Sequence, residues 1–176
     1  MSGAVTAAEA LAQLRPEPGL VVLMCGLAGS GKTTFAQQLE AQGFTRLSID
    51  EIVWETAGRY GVDYAPEDYP QRLDAARETM RARVGALLQA GAPAVVDSAF
   101  WSRRARDEYK ALVEAHGGTW RIVFMAADRA TLSARLRTRS RRFDANAAFE
   151  VTEERLDQFM RSFEAPDGED EIVVGG

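Results

Sequence analysis

The stretch Gly26-Leu-Ala-Gly-Ser-Gly31-Lys32-Thr33 fits G-x-x-x-x-G-K-[ST] at every position, and the chemistry of that spacing is the holding of phosphate. Glycines let the backbone curl so that successive N–H groups face inward onto phosphate oxygens. The start of the following helix adds partial positive charge. The residues expected around a nucleotide's phosphates are Gly26, Leu27, Ala28, Gly29, Ser30, Gly31, Lys32, Thr33 and Thr34. Lys32 reaches the β- and γ-phosphates of ATP, and the Thr33 hydroxyl is placed to coordinate Mg²⁺. Lys32 and Lys110 are the only lysines in a chain that otherwise uses arginine, so the lysine kept inside the loop stands out.

Two carboxylates follow short apolar runs elsewhere: Asp50 after Leu47-Ser-Ile and Asp97 after Ala94-Val-Val. Parallel strands present their C-terminal ends on one edge of an open α/β sheet, where ligands bind. Both aspartates should therefore face the loop. Asp50 is assigned as the base that accepts the proton of an attacking hydroxyl, and Asp97 as the acid on the Mg²⁺ side, acting through water. Either one can instead simply cap the helix that follows it. A third set is cationic: Arg135 and Arg139 are four apart, hence on one helical face, with Arg141 and Arg142 just beyond. Arginine forks stabilise the charge that phosphoryl transfer spreads over equatorial oxygens. A lid carrying them completes the site when ATP binds; the bland alternative is a solvated basic face.

These residues need elements to carry them. Leu20–Cys25 is a continuous apolar run of strand length, suited to burial on both faces, and Gly31–Ala41 reads as the helix after the loop. Further strands are expected at 45–49, 93–97, 120–125 and 171–174, and further helices at 51–61, 73–89, 103–116, 128–139 and 152–163. Thr6 and Glu9 are spaced as a capping box at the start of an N-terminal helix. Ser102 and Thr152 read as N-caps, and Gly117-Gly118 as a stop. The acidic tail 164–171 reads as a solvated connection. Alternating apolar strands and helices imply a three-layer α/β domain with a parallel sheet.

A chain of 176 residues with 46% hydrophobic content fits one domain, 1–176, with a helical extension over 1–18 and a lid at about 128–150. The net charge of −5 argues against a general nucleic-acid or membrane-surface binder. One cysteine, Cys25, forms no internal disulfide, and no apolar run approaches the roughly 20 residues that cross a bilayer. The N-terminus lacks the pattern of a signal peptide, so a cytoplasmic location is expected.

The loop at 26–34, Ser48-Ile-Asp50-Glu51, Val95-Val-Asp97-Ser98, Arg103-Arg-Ala-Arg106-Asp and Phe163-Glu-Ala-Pro166 together resemble the AAA-type P-loop kinase family, over about 20–174. That family includes polynucleotide 5′-kinases, chloramphenicol phosphotransferase and zeta toxins. The resemblance implies a P-loop NTPase fold with sheet order 2-3-1-4-5, a general base at Asp50 and lid arginines at Arg135 and Arg139. It also implies an acceptor site between the segment after Asp50 and the helix after Asp97. Those segments hold Trp54, Tyr60, Tyr64, Tyr69, Phe100, Trp101, Arg103 and Arg106. Aromatic walls stack planar or apolar small molecules. Overall acidity weakens a polynucleotide substrate, which needs many cations. The expected activity is transfer of the γ-phosphate of ATP to a hydroxyl of a small molecule: a nucleoside, sugar or antibiotic-like metabolite. A polynucleotide 5′-hydroxyl kinase is the runner-up, and an ATP-binding regulatory switch is the alternative of another class.

Overall fold

Strand β1 (Leu20–Cys25) is buried at every position, as its uninterrupted apolar run requires. Its side chains alternate between two cores: Val21, Leu23 and Cys25 on one face of the sheet, Leu20, Val22 and Met24 on the other. Around it the computed structural model builds a five-stranded sheet in the order β2-β3-β1-β4-β5. The strands β2 (Thr45–Ser48), β3 (Ala94–Asp97), β4 (Thr119–Ala126) and β5 (Glu171–Gly175) complete it, and every neighbouring pair is parallel. Residues 3–139, 141–142, 144–145 and 150–175 are described.

Among the described residues, seven α-helices accompany these strands: α1 (Ala7–Gln13), α2 (Lys32–Ala41), α3 (Ile49–Ala57), α4 (Tyr69–Gln89), α5 (Arg103–Ala115), α6 (Arg129–Arg139) and α7 (Glu153–Ser162). The first core takes α3, α4 and α5 through Ile52, Val53, Ala76, Met80, Val84 and Val113. The second takes α1 and α2 through Ala10, Leu14, Phe35, Ala36 and Leu39. This is the expected three-layer P-loop fold, with the expected strand order. The Thr6–Glu9 capping box forms with both of its bonds, and Val5 pairs with Val174, so the N-terminal extension is tied to the edge of the sheet.

Some boundaries move. β2 ends at Ser48 and α3 begins at once, capped by the Ser48 hydroxyl, so Asp50 sits in a helical first turn rather than past a strand end. α4 starts at Tyr69, four residues before the expected Leu73, because Pro70 suits a first helical turn. The 164–171 segment is not a wholly solvated connection: Pro166 and Glu169 are buried. Positions 140, 143 and 146–149 of the expected lid lie outside the described residues. No described helix is long and apolar enough to cross a membrane.

Candidate active site

The chain leaves β1 at Gly26 with φ 144°, and a Cβ there would sit 2.7 Å from Ser30 Oγ and 2.9 Å from the Met125 carbonyl oxygen. Only glycine passes through that gap. At the far end Gly31 caps α2 with φ 100° and no side-chain bond, so the cap residue leaves the helix's first N–H groups to other partners. Lys32, Thr33 and Thr34 form the first turn, Thr33 half-buried and Thr34 exposed. Lys32 Nζ donates to the Leu27 carbonyl at 2.8 Å. Burial pushes the Lys32 ammonium below the usual lysine range, while the charges of Asp97 and Asp50 pull it back. The Leu27 side chain turns away into an apolar cluster with Leu132, Leu136 and Leu156, leaving its backbone to the loop. Ala28 borders the same cluster.

Both predicted carboxylates come to this loop, in different states. Asp97, at the end of β3, is buried, and its Oδ2 accepts from Arg46 Nη2 at 2.9 Å. Asp50 accepts no hydrogen bond from any described residue. Desolvation holds its carboxyl above the usual range; Arg139 and Lys32 oppose that shift, and Asp97 and Glu51 add to it. Asp50 therefore lies within the field of Arg139, the loop lysine and the second aspartate.

Arg135 and Arg139 of α6 also converge. Arg135 Nη1 donates to the carbonyls of Ser30 at 3.1 Å and Gly29 at 3.4 Å, so it lies on the loop itself. Arg139, at the end of α6, acts electrostatically on both Asp50 and Lys32. α6 can come this close because Gly29 has no side chain: a Cβ there would be 3.1 Å from Leu136 Cγ.

On the acceptor side the expected residues separate. Trp54, one turn beyond Asp50 on α3, shares its helical face and is half-buried. Tyr60 meets Tyr64 at 6.1 Å and Tyr69 at 5.7 Å between ring centroids, each edge-to-face. The hydroxyls of Tyr64 and Tyr69 are both pushed up, first by burial and then by neighbouring charges, Asp50 among them. These tyrosines stand beside the candidate base. A cleft of about 680 Å³ opens between α4 and α5, and Ile49, Ser98, Phe100, Trp101 and Tyr109 are among its lining. Trp101 also packs edge-on against Phe159 at 4.7 Å, so it is part cleft wall and part core.

Arg103 and Arg106 are not brought to the cleft; Arg104 is. Arg103 points to solvent near Asp107, 3.8 Å away. Arg106 is 1% exposed and wholly engaged: with Glu169 at 2.7 Å, the Glu164 carbonyl at 2.8 Å and the Phe100 carbonyl at 3.0 Å. Its spacing with Tyr109, Lys110 and Val113 puts it on the inner face of α5. A buried arginine needs a carboxylate, and Glu169, which supplies it, is 63 residues away in sequence.

Arg46 is the residue that sequence reasoning missed. Its guanidinium bonds Asp97 and also Glu51 Oε1 at 2.9 Å. The one available signal was strand alternation, which puts Arg46 and Ser48 on the same face as Val95 and Asp97 of the adjoining strand.

Comparison with known proteins agrees with this fold. Residues 21–166 match the family described as AAA domain. The UPF0200 protein PAE1629 of Pyrobaculum aerophilum is 30% identical over 124 residues, which is 70% of this chain and 68% of that protein. Among solved structures, a gluconokinase from Sinorhizobium meliloti 1021 superposes with a TM-score of 0.59 at 24% identity, covering 90% of this chain and 83% of that one. Kti12 of Chaetomium thermophilum, solved in complex with ADP-AlF3, superposes with a TM-score of 0.63 at 14% identity, covering 88% of each chain. The phosphate loop, the parallel sheet in the order 2-3-1-4-5 and the match over most of its length make this chain a member of the AAA domain family.

Proposed function

We propose that the protein is an ATP-dependent phosphotransferase that moves the γ-phosphate of ATP to a hydroxyl of a small molecule. The observation that carries this reading is Asp50: a carboxylate of raised basicity, bonded to no described residue, beside Lys32 and Arg139. A kinase needs such a base to take the proton of its acceptor's hydroxyl. In the step proposed, the acceptor oxygen attacks the γ-phosphorus and Asp50 takes the hydroxyl proton. The bond from the γ-phosphorus to the bridging oxygen breaks, and ADP leaves with that electron pair. Lys32 and Arg139 balance the charge that builds on the transferred group, while Arg135 braces the loop.

Mg²⁺ fits the donors present. It keeps several waters and takes one or two protein oxygens together with nucleotide phosphates. The Thr33 hydroxyl and the Asp97 oxygen not bonded to Arg46 would hold it, and its contribution is charge neutralisation at the phosphates.

The acceptor is a small molecule of low charge. Each arginine lining the cleft is bonded to a carboxylate: Arg77 to Asp74 at 2.9 Å, Arg81 to Glu108 at 2.7 Å and Arg104 to Glu108 at 3.0 Å. Cations already neutralised are poor partners for successive phosphates of a polynucleotide.

The test is transfer of label from γ-labelled ATP onto nucleosides, sugars, antibiotics and 5′-hydroxyl oligonucleotides. Label should appear on a small molecule with the wild-type protein and be lost with Lys32→Ala. Nucleotide binding without transfer to any acceptor supports the switch; label on the oligonucleotide alone supports the polynucleotide kinase.

A further inference from the structure

We propose that Arg46 is a positioning residue that holds both carboxylates of the site in register, Asp97 directly and the Asp50 turn through Glu51; this rests on the phosphotransfer reading above. Arg46 lies on β2 opposite Val95, and two residues on Ser48 lies opposite Asp97. Alternation sends all four side chains to the face where α2 starts. The Arg46 side chain is 5% exposed and that of Asp97 4%, so this is a buried charge pair rather than a surface contact. The second arm of the guanidinium reaches Glu51, the residue after Asp50 in the first turn of α3. One rigid, planar group therefore ties the end of β3 to the start of α3, the two elements whose aspartates must keep a fixed spacing around the reacting phosphate.

The guanidinium is not seated for its own comfort. Arg46 Nε is buried with no partner, one of two such side-chain atoms among the described residues; the other, Ser30 Oγ, is in the phosphate loop. An arginine serving only as an internal brace would be expected to bond all its donors. Here the fit to Asp97 and Glu51 is met and Nε is left over. Local rules broken in this way cluster where function sets the geometry.

The two arms make separate predictions. Holding Asp97 governs the gain in nucleotide affinity that Mg²⁺ provides, because partners behind a metal-side carboxylate typically change metal affinity by about 10–100-fold. Holding Glu51 governs the placement of Asp50, and therefore turnover. The experiment measures binding of a fluorescent ATP analogue by the full chain, in excess Mg²⁺ and in EDTA, alongside phosphate transfer.

Arg46→Gln should lose about tenfold or more of the Mg²⁺-dependent gain and keep its affinity in EDTA. Glu51→Gln should keep the Mg²⁺-dependent gain and lose kcat without a change in KM for ATP. Arg46→Lys, which keeps a charge but cannot span two carboxylates, should resemble Glu51→Gln.

If Arg46→Gln folds and matches the wild type in both measurements, the proposal is overturned. If Arg46→Gln does not fold, Arg46→Lys and Glu51→Gln decide, and wild-type kcat in both overturns it. Wild-type protein that binds nucleotide but transfers to no acceptor overturns the functional reading instead, and the two failures are thereby distinguished.

Discussion

Asp50 and Lys32 are both held where protein replaces water, and in each the first cause of the shifted acidity is desolvation. Each charge is unfavourable there until a phosphate and an acceptor arrive, which is how a site is prepared in advance for charge that develops during reaction. Asp50→Asn should lower transfer by roughly 10²–10⁴-fold and leave ATP affinity nearly unchanged. Equal loss of both would move Asp50 to the metal. The same variant carries a stability signature. Because the folded-state pKa of Asp50 lies above its unfolded value, ionised Asp50 destabilises the fold at every pH above that range. Asp50→Asn should therefore melt at a higher temperature near pH 7.5 without nucleotide, and the gain should fade as the pH falls toward about 4. Melting curves across that window check the sign. Cys25, directly before the loop, has no comparable role: burial pushes its thiol up to about 11, so it remains a protonated core residue.

At the scale of elements, the segment after β3 is bound to the segment after α7. The Glu164 N–H donates to the Trp101 carbonyl at 2.9 Å, the Glu164 carboxylate accepts from the Arg103 N–H at 2.8 Å, and Arg106 with Lys110 clasps Glu169. Burial alone would raise the Glu169 carboxyl, but bonds from Arg106 and Lys110 overcome it and hold it at about 2. Its stabilisation is thus complete above the ordinary glutamate range and is lost as the pH falls through about 4 to 2. Arg106→Met leaves Glu169 buried without its main partner and should cost about 3–5 kcal/mol, read as a shift in urea midpoint. Nucleotide affinity per folded molecule should change little. Gly29→Ala tests the contact between loop and α6. Its φ of 83° and the 3.1 Å approach to Leu136 oppose any Cβ, so a cost of about 1–2 kcal/mol and weaker ATP binding are expected from melting and titration together.

At the scale of the whole molecule, a net charge of −5 and a pI near 5.0 frame what the protein can attract from a distance. The cations proposed for phosphate, Lys32, Arg135 and Arg139, are gathered at the phosphate loop. Affinity for an uncharged acceptor should therefore vary little between about 50 and 200 mM salt, where a ligand contacting many phosphates would weaken by orders of magnitude. A titration of acceptor KM against salt decides between them. ATP with Mg²⁺ should raise the melting temperature of the entire fold, since ligand at 100 times its Kd adds about 2.7 kcal/mol.

What the sequence determined by itself was local. The glycine spacing from Gly26 to Gly31, the apolar run of β1, the Thr6, Ser102 and Thr152 caps and the spacing of Arg135 and Arg139 are each set within a few residues. Each forms as its pattern requires. What only the tertiary structure decided was the pairing of charges across the fold. Asp97 with Arg46, Arg106 with Glu169 and Lys110 with Glu169 join residues 51, 63 and 59 positions apart. An arginine on an amphipathic helix looks solvent-facing until its carboxylate is known, so Arg106 read as a candidate for substrate binding while Arg46 went unread. The physical reason is that a charge enters the interior only with its partner, and no local pattern names a partner that arrives from another strand.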